Sequence, residues 1–145
     1  MKADLLKECA VVVAACAVFA APAFAHHSMA MFEFQKRVLL VGTVKEVQWT
    51  NPHGWLQLMV PMPNGTELEW SVEMEGPNGM MRIGWKRNTV KPGDEVKVLV
   101  RPLRDGRPGG GLINITLPDG TKLGRSVDEK GEPLEPNATM AEVLK

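Results

Sequence analysis

The three histidines of this chain are the residues best suited to metal chemistry. His26 and His27 directly follow the small-residue sequence Ala23–Ala25, and His53 lies in a turn-like Asn-Pro-His-Gly sequence. If a peptidase cleaves after Ala25, the free amine and the imidazole of His26 form a chelate for a transition metal. Imidazole is a preferred ligand of copper, zinc and nickel. The spacing therefore indicates a candidate copper site at His26, His27 and His53. The competing interpretation is a polar chain start without a specific metal.

Sequence patterns of common hydrolases and phosphate-binding proteins are missing from the chain. It contains no Gly-x-Ser-x-Gly elbow and no His-Glu-x-x-His motif, and Gly109–Gly111 is not followed by Lys-Ser or Lys-Thr. Both cysteines, Cys9 and Cys16, precede Ala25, so cleavage there leaves no disulfide and no thiolate ligand. We therefore assign no catalytic residue and expect a non-enzymatic protein. An enzyme would have to work through a metal at the new N-terminus.

Two of the four tryptophans form a second candidate site, for a small ligand or a protein partner. Trp49 and Trp55 bracket a turn that contains Asn51, and aromatic rings beside such a turn can stack on a ligand. Trp70 and Trp85 occupy apolar positions of a period-two segment and of a helix-like segment, which predicts that both are buried. Burial is also the competing interpretation for Trp49 and Trp55.

Basic residues are concentrated in the segment 82–107, which carries eight basic and three acidic residues, whereas the whole chain has a formal net charge of zero. A segregated positive field can steer an anionic partner. Arg104 and Arg107 therefore join the candidate partner-binding residues, with a merely solvated face as the simpler alternative. The neutral total argues against a nucleic-acid-binding protein, because such proteins carry a marked positive charge.

The N-terminal 25 residues have the layout of a secretory signal peptide. Positive charge precedes an apolar run from Cys9 to Ala21, and the Ala-x-Ala site follows it. The run is shorter than the ~20 apolar residues that span a bilayer. We therefore expect cleavage after Ala25 and export to the periplasm, with no membrane span in the remaining chain. A lipoprotein cleaved before Cys16 is the alternative, but it would carry a superfluous apolar tail.

Positions 38–124 predict a mainly β domain with one short helix. Within 66–74, apolar residues alternate with Glu67, Glu69 and Glu73, which predicts one buried face and one wet, acidic face with no histidine nearby. The glycine-rich stretch 102–111 predicts a mobile surface loop. Five predicted strands cover 38–49 (bent at Gly42), 55–60, 66–74, 95–101 and 112–117, and residues 121–124 are a candidate for a last short strand. The predicted helix covers 77–86, with Met80, Met81, Ile83 and Trp85 in one stripe under the sheet.

The predicted element order is three strands, a short helix and two further strands. This is the order of the five-stranded Greek-key barrel called the OB-fold. A small β-sandwich is the alternative, but it would not require a helix after the third strand. The chain thus divides into a cleaved signal peptide (1–25), an OB-like barrel domain (26–126) and a polar C-terminal tail (127–145). We expect the tail to be loosely held, because it is polar and contains two prolines.

The chain contains six short motifs: His-His-Ser (26–28), Gly-Thr-Val (42–44), Trp-Thr-Asn-Pro-His (49–53), Arg-x-Gly-Trp (82–85), Pro-Gly-Asp (92–94) and Arg-Asp-Gly (104–106). In this order and spacing they resemble an uncharacterised bacterial periplasmic family, known only as a domain of unknown function. The resemblance covers nearly all of the chain between the leader and the tail. It implies a Gram-negative exported protein with a small β-rich fold, and it brings no established activity. The methionines near the histidines depart from the family pattern.

Overall fold

The computed structural model describes residues 29–144 of the chain. Within this range no helix is long and apolar enough to cross a lipid bilayer. The regular elements, in chain order, are β1 (Val38–Gln48), β2 (His53–Pro61), β3 (Glu67–Glu75), α1 (Pro77–Arg82), β4 (Glu95–Pro102), β5 (Gly109–Thr116), β6 (Lys122–Gly124) and α2 (Met140–Val143).

Five of the strands close into a barrel. β1 pairs antiparallel with both β2 and β4, β2 pairs antiparallel with β3, and β4 pairs antiparallel with β5. The barrel closes where β3 and β5 run parallel, with Ser71–Glu73 beside Gly109–Gly111. β6 is an extra strand on the free edge of β5. The predicted five-stranded barrel with a short helix after the third strand is confirmed, and the β-sandwich alternative is wrong.

Alternating side chains of the strands fill the barrel, because successive residues of a strand point to opposite faces. In β4, Val96, Val98 and Val100 are buried, as the sequence predicts. The predicted burial of Trp70 and Trp85 is also confirmed, since both are at most 2% exposed. The register of β1 against β2 shifts between Val44 and Glu46, a little beyond the glycine at which the sequence predicts a bend.

The short helix presents a different face to the core from the one that its sequence predicts. α1 ends well before residue 86, because the backbone leaves the helical conformation at Ile83. Met80 and Trp85 are buried, whereas Met81 is 53% and Ile83 is 41% exposed. The prediction of one stripe through all four residues is therefore wrong. Trp85 reaches the core from the turn after the helix, where its backbone N–H donates a hydrogen bond to the carbonyl oxygen of Met80.

The glycine-rich stretch after β4 is not a mobile loop throughout its length, because its last three residues begin β5. At Gly110 a Cβ would lie 2.5 Å from the carbonyl oxygen of Arg101, and at Gly109 it would lie 2.8 Å from a side-chain carbon of Leu103. These glycines allow β5 to approach β4 and β3 closely enough to close the barrel. The connection between β4 and β5 is accordingly reduced to residues 103–108.

The segment before β1 packs along the end of β4. Met29–Met31 form one turn of 3-10 helix, and Phe32 then pairs antiparallel with Leu103. The N–H of Glu33 donates to the carbonyl oxygen of Pro102 at 2.8 Å, and the N–H of Arg104 donates to that of Met31 at 3.0 Å. The first described residues are therefore part of the barrel surface.

The C-terminal segment contacts the start of β1. The side-chain oxygen of Asn137 accepts a hydrogen bond from the N–H of Arg37 at 2.6 Å, and Ala138 bridges to Val38. Leu134 and Val143 are both buried. This packing differs from the loosely held tail that its composition predicts, because two apolar side chains and a few backbone hydrogen bonds anchor a segment that is otherwise polar.

Candidate functional site

A groove of about 430 Å³ lies on the outer face of β2 and β3. Its volume falls in the usual range of small-molecule sites, roughly 300–1,000 Å³. Barrels of this topology bind their ligands on this face, between strands 2 and 3 and the loop that joins strands 4 and 5. We call it the β2–β3 groove, and its lining residues are Met31, Phe32, Trp55, Ser71, Glu73, Leu103, Arg107, Pro108, Gly109 and Gly110.

The strand residues of the groove share a face because β2 and β3 form a regular hairpin. Trp55 lies directly opposite Glu73, and the residues on either side of each point into the barrel. The turn at Pro63–Gly65 fixes this register, since Gly65 adopts a φ of +82° that favours glycine. The groove floor is therefore set by local sequence.

The N-terminal segment supplies the aromatic wall. The carbonyl oxygen of Phe32 accepts a hydrogen bond from Nε–H of Arg104 at 2.9 Å. The ring of Phe32 lies over Gly111, where an added Cβ would be 3.4 Å from the nearest ring carbon. Phe32 is only 9% exposed. Arg104 therefore holds this wall in place and does not itself line the groove.

Arg107 brings a positive charge to the groove and is fixed by a neighbour in the same loop. Its backbone N–H and its Nε–H donate to the two carboxylate oxygens of Asp105, at 3.1 and 2.8 Å. These hydrogen bonds, the backbone one first, lower the pKa of Asp105. Both side chains are exposed. The pair organises the loop tip and leaves the charge of Arg107 exposed to solvent at the groove.

A histidine–carboxylate pair lies at the edge of the groove. Nδ1 of His53 is 2.9 Å from Oε1 of Glu73, and the Glu73 side chain is 8% exposed although it lies on the outer face of β3. A carboxylate at this position can accept a hydrogen bond from Nδ1 and so fixes the orientation of the ring. The prediction that the acidic face of β3 is wet, with no histidine nearby, is therefore wrong at Glu73.

The structure divides the predicted ligand-binding residues into two groups. Trp55 and Arg107 meet in the β2–β3 groove. Trp49 packs against the main hydrophobic core, Asn51 lies in a separate shallow cleft, and Arg104 contacts the N-terminal segment. The turn that the sequence singles out thus contributes less to the groove than the strand that follows it.

Of the predicted metal ligands, only His53 belongs to the described residues; His26 and His27 lie outside them. Between residues 29 and 144, no group of three or more His, Cys, Asp or Glu side chains is arranged to hold a metal ion. The described chain therefore supplies one imidazole and the carboxylate of Glu73 beside it.

Phe32 and Glu73 are two of the groove residues that the sequence does not predict as ligand-binding. A signal for Glu73 exists, because a hairpin centred on Asn64 places positions 55 and 73 opposite each other. No comparable signal exists for Phe32, whose place depends on pairing with Leu103, far along the chain.

Comparison with known proteins identifies a family. Residues 13–112 of the chain match the model described as a family of unknown function, DUF6152, and this span is more than half of the chain. No curated protein and no solved structure shows significant similarity to it.

Proposed function

We propose that this protein, which belongs to the DUF6152 family of unknown function, is a small exported binding module without enzymatic activity. Its ligand has an aromatic or apolar body and lies in the β2–β3 groove. The single observation that supports this role is the groove itself, where Trp55 and Phe32 lie beside Arg107 on one face of the barrel. Sites for small molecules typically combine such apolar walls with a few polar groups.

The chemistry of the groove favours an aromatic anion. Trp55, Phe32 and Leu103 offer apolar surface, and an aromatic ring gains most from such surroundings. Arg107 offers a positive charge that a carboxylate or sulfonate can meet. The same groove would suit an apolar side chain of a periplasmic protein partner. The basic segment 82–107 would attract such a partner if its surface is anionic.

Export is part of the proposal. The leader ends in an Ala-x-Ala site before His26. Such a leader would direct the barrel to the periplasm of a Gram-negative bacterium and would be removed after Ala25. The motifs of the chain, including Trp-Thr-Asn-Pro-His at 49–53, resemble an exported family and support this location.

Replacement of Trp55 by alanine tests the groove. The probe is anilinonaphthalene sulfonate, which joins an aromatic body to an anionic group, and its fluorescence is titrated with the cleaved protein. We expect Trp55→Ala to weaken probe binding about ten-fold or more, which corresponds to about 1.4 kcal/mol, because the variant removes the aromatic floor. Ile83→Ala is the matched control, since it removes an exposed apolar side chain outside the groove. Equal affinities of the two variants would contradict the proposal.

A second candidate function, copper binding by His26, His27 and His53, is favoured by the pair of His53 and Glu73. Metal-bound histidines commonly donate their other N–H to a carboxylate, and such a partner raises ligand basicity. With the Nδ1 proton directed to Glu73, Nε2 is the nitrogen that would bind the metal. His26 and His27 precede Met29 by three and two residues, and the chain then enters the groove at Met31.

Copper titrations test this second candidate. Cleaved protein that starts at His26 is compared with a variant that carries one extra N-terminal residue, and with His53→Ala. We expect both changes to weaken Cu(II) binding, and Glu73→Gln to weaken it by roughly 10- to 100-fold. Glu67→Gln, an exposed carboxylate on the same strand, is the control. Unchanged affinity in the extended variant would exclude the terminal chelate.

A further inference from the structure

A second cleft, of about 250 Å³, adjoins the β2–β3 groove and shares Phe32 and Glu73 with it. Unlike the groove it contains two arginines, Arg101 from the end of β4 and Arg125 from the residue after β6. Phe34 forms its aromatic side. We call it the arginine cleft.

Arg101 is poorly satisfied in this cleft. Its guanidinium carbon lies 4.7 Å from the centre of the Phe34 ring. Its Nε is fully buried and has no hydrogen-bond partner among residues 29–144. None of the ion pairs between described side chains includes Arg101 or Arg125. A buried N–H without an acceptor is costly, about 1–3 kcal/mol and more for a charged group.

The charges around Arg101 increase this cost. Burial lowers the pKa of Arg101, and the neighbouring guanidinium groups of Arg125 and Arg37 lower it further. Arg37 already donates its Nε–H to the carbonyl oxygen of Glu135 at 2.7 Å. The cleft also contains two carboxylates, Glu73, which is paired with His53, and Glu75. Neither forms an ion pair with Arg101 or Arg125, so the repulsion that Arg101 experiences from the other two guanidinium groups is not offset by a direct ion pair.

We infer that the arginine cleft is a binding site for an oxyanion, in which a carboxylate, sulfate or phosphate group lies between Arg101 and Arg125. Guanidinium groups bind such oxyanions through paired, charge-assisted hydrogen bonds. An anion there would give the Arg101 side chain the acceptors that it lacks and would relieve the repulsion between the arginines. The site goes beyond the proposed function, because it can be occupied whether or not the groove holds a ligand.

A purely structural arginine is the competing interpretation, and it makes the opposite prediction for stability. If Arg101 only packs on Phe34, its replacement should destabilise the fold. If Arg101 serves to bind an anion, its charge costs stability when no anion is bound. Arg101→Met preserves the apolar stem and removes this poorly solvated charge, so it should leave the melting temperature in chloride unchanged or raise it.

Thermal unfolding of the cleaved protein tests the inference, with sodium phosphate, sodium sulfate and sodium acetate each compared with sodium chloride at equal ionic strength. An anion that binds only the folded state raises the melting temperature, and the rise grows with the logarithm of the anion concentration once this exceeds the dissociation constant. We expect at least one oxyanion to raise it by several degrees, and the responding arm distinguishes carboxylate from tetrahedral anions. Sulfate and phosphate also stabilise folded proteins without occupying a site, so the quantity compared is the excess of the wild-type rise over the rise in each variant. Arg101→Met should remove this site-specific excess, and Arg125→Gln should weaken the apparent affinity about ten-fold. Lys122→Gln, which removes a positive charge from β6 itself, should respond as the wild type does.

Two results would overturn the inference: a wild-type protein that responds equally to all four salts, or an oxyanion response that is as large in Arg101→Met and Arg125→Gln as in the wild type. Trp55→Ala separates this inference from the proposed function. We expect that variant to lose the aromatic probe in the groove while keeping the full oxyanion response.

Discussion

Replacing Gly110 by alanine is expected to lower the free energy of unfolding by about 3 kcal/mol. A Cβ at this position would lie 2.5 Å from the carbonyl oxygen and 3.1 Å from the carbonyl carbon of Arg101. Both atoms are backbone, so relief requires β5 to move away from β4. The parallel contact of β5 with β3 would move with it, and this contact closes the barrel. Equilibrium urea unfolding of the cleaved protein measures the effect.

Gly111→Ala is the matched control for this prediction. A Cβ there would meet only the ring of Phe32, at 3.4–3.5 Å, which is ordinary van der Waals contact. We expect a change of less than about 1 kcal/mol, in line with surface positions free of such close approaches. If the two variants unfold at the same urea concentration, a glycine at position 110 is not required for barrel closure. That result would favour the prediction that residues 102–111 form a mobile loop.

The second large effect is expected for Trp85→Ala, which should lower the free energy of unfolding by about 3 kcal/mol. Large-to-small changes of a buried tryptophan cost about 3–5 kcal/mol, and Trp85 is 2% exposed within the main core. Its indole N–H has no hydrogen-bond partner in the described part of the chain. Removing this unsatisfied donor offsets part of the loss, so the lower end of the range is expected.

Met81→Ala provides the comparison for Trp85→Ala. Met81 is 53% exposed, although its spacing places it in the same helical stripe. We expect a change within about 0.5 kcal/mol, as for most surface substitutions. A loss comparable to that of Trp85→Ala would show that the longer predicted helix, with all four apolar residues inward, is the populated one in solution.

The β2–β3 hairpin shows how much of the site local sequence determines. The alternation in 66–74 predicts which residues of β3 face the core, and the turn at Pro63–Gly65 predicts the register with β2. From these two features alone, Trp55 opposes Glu73, and His53 lies diagonally beside it on the same face. The hairpin register therefore predicts that His53 lies near Glu73. The alternation of β3 considered alone predicts instead that all of its carboxylates are solvated.

Other parts of the site depend on contacts between distant segments. Phe32 becomes a wall of the groove only because it pairs with Leu103. Glycine composition predicts mobility for the start of β5, and only the parallel pairing with β3 shows why glycine is required there. The C-terminal segment has a polar composition, but it is anchored by Leu134 and Val143, whose side chains are buried. No local sequence pattern predicts the apolar surface on which they pack.

The groove and the arginine cleft together suggest how a ligand would be oriented. Phe32 and Glu73 belong to both, so an elongated anion could place its aromatic body beside Trp55 and its charged end near Arg101. An uncharged aromatic ligand would use the groove alone. Small oxyanions would use the cleft alone, so their effect on the melting temperature reports on the cleft separately from the groove.

The most direct test of the groove as the binding site is an NMR titration of the nitrogen-labelled, cleaved protein with anilinonaphthalene sulfonate. We predict the largest shift changes at the indole N–H of Trp55 and at the amides of Glu73, Arg107 and Gly110, all of which line the groove. The exposed apolar side chains Leu39, Val41, Met81 and Ile83 lie outside it. Shift changes concentrated at those residues, with the Trp55 indole unaffected, would contradict the account.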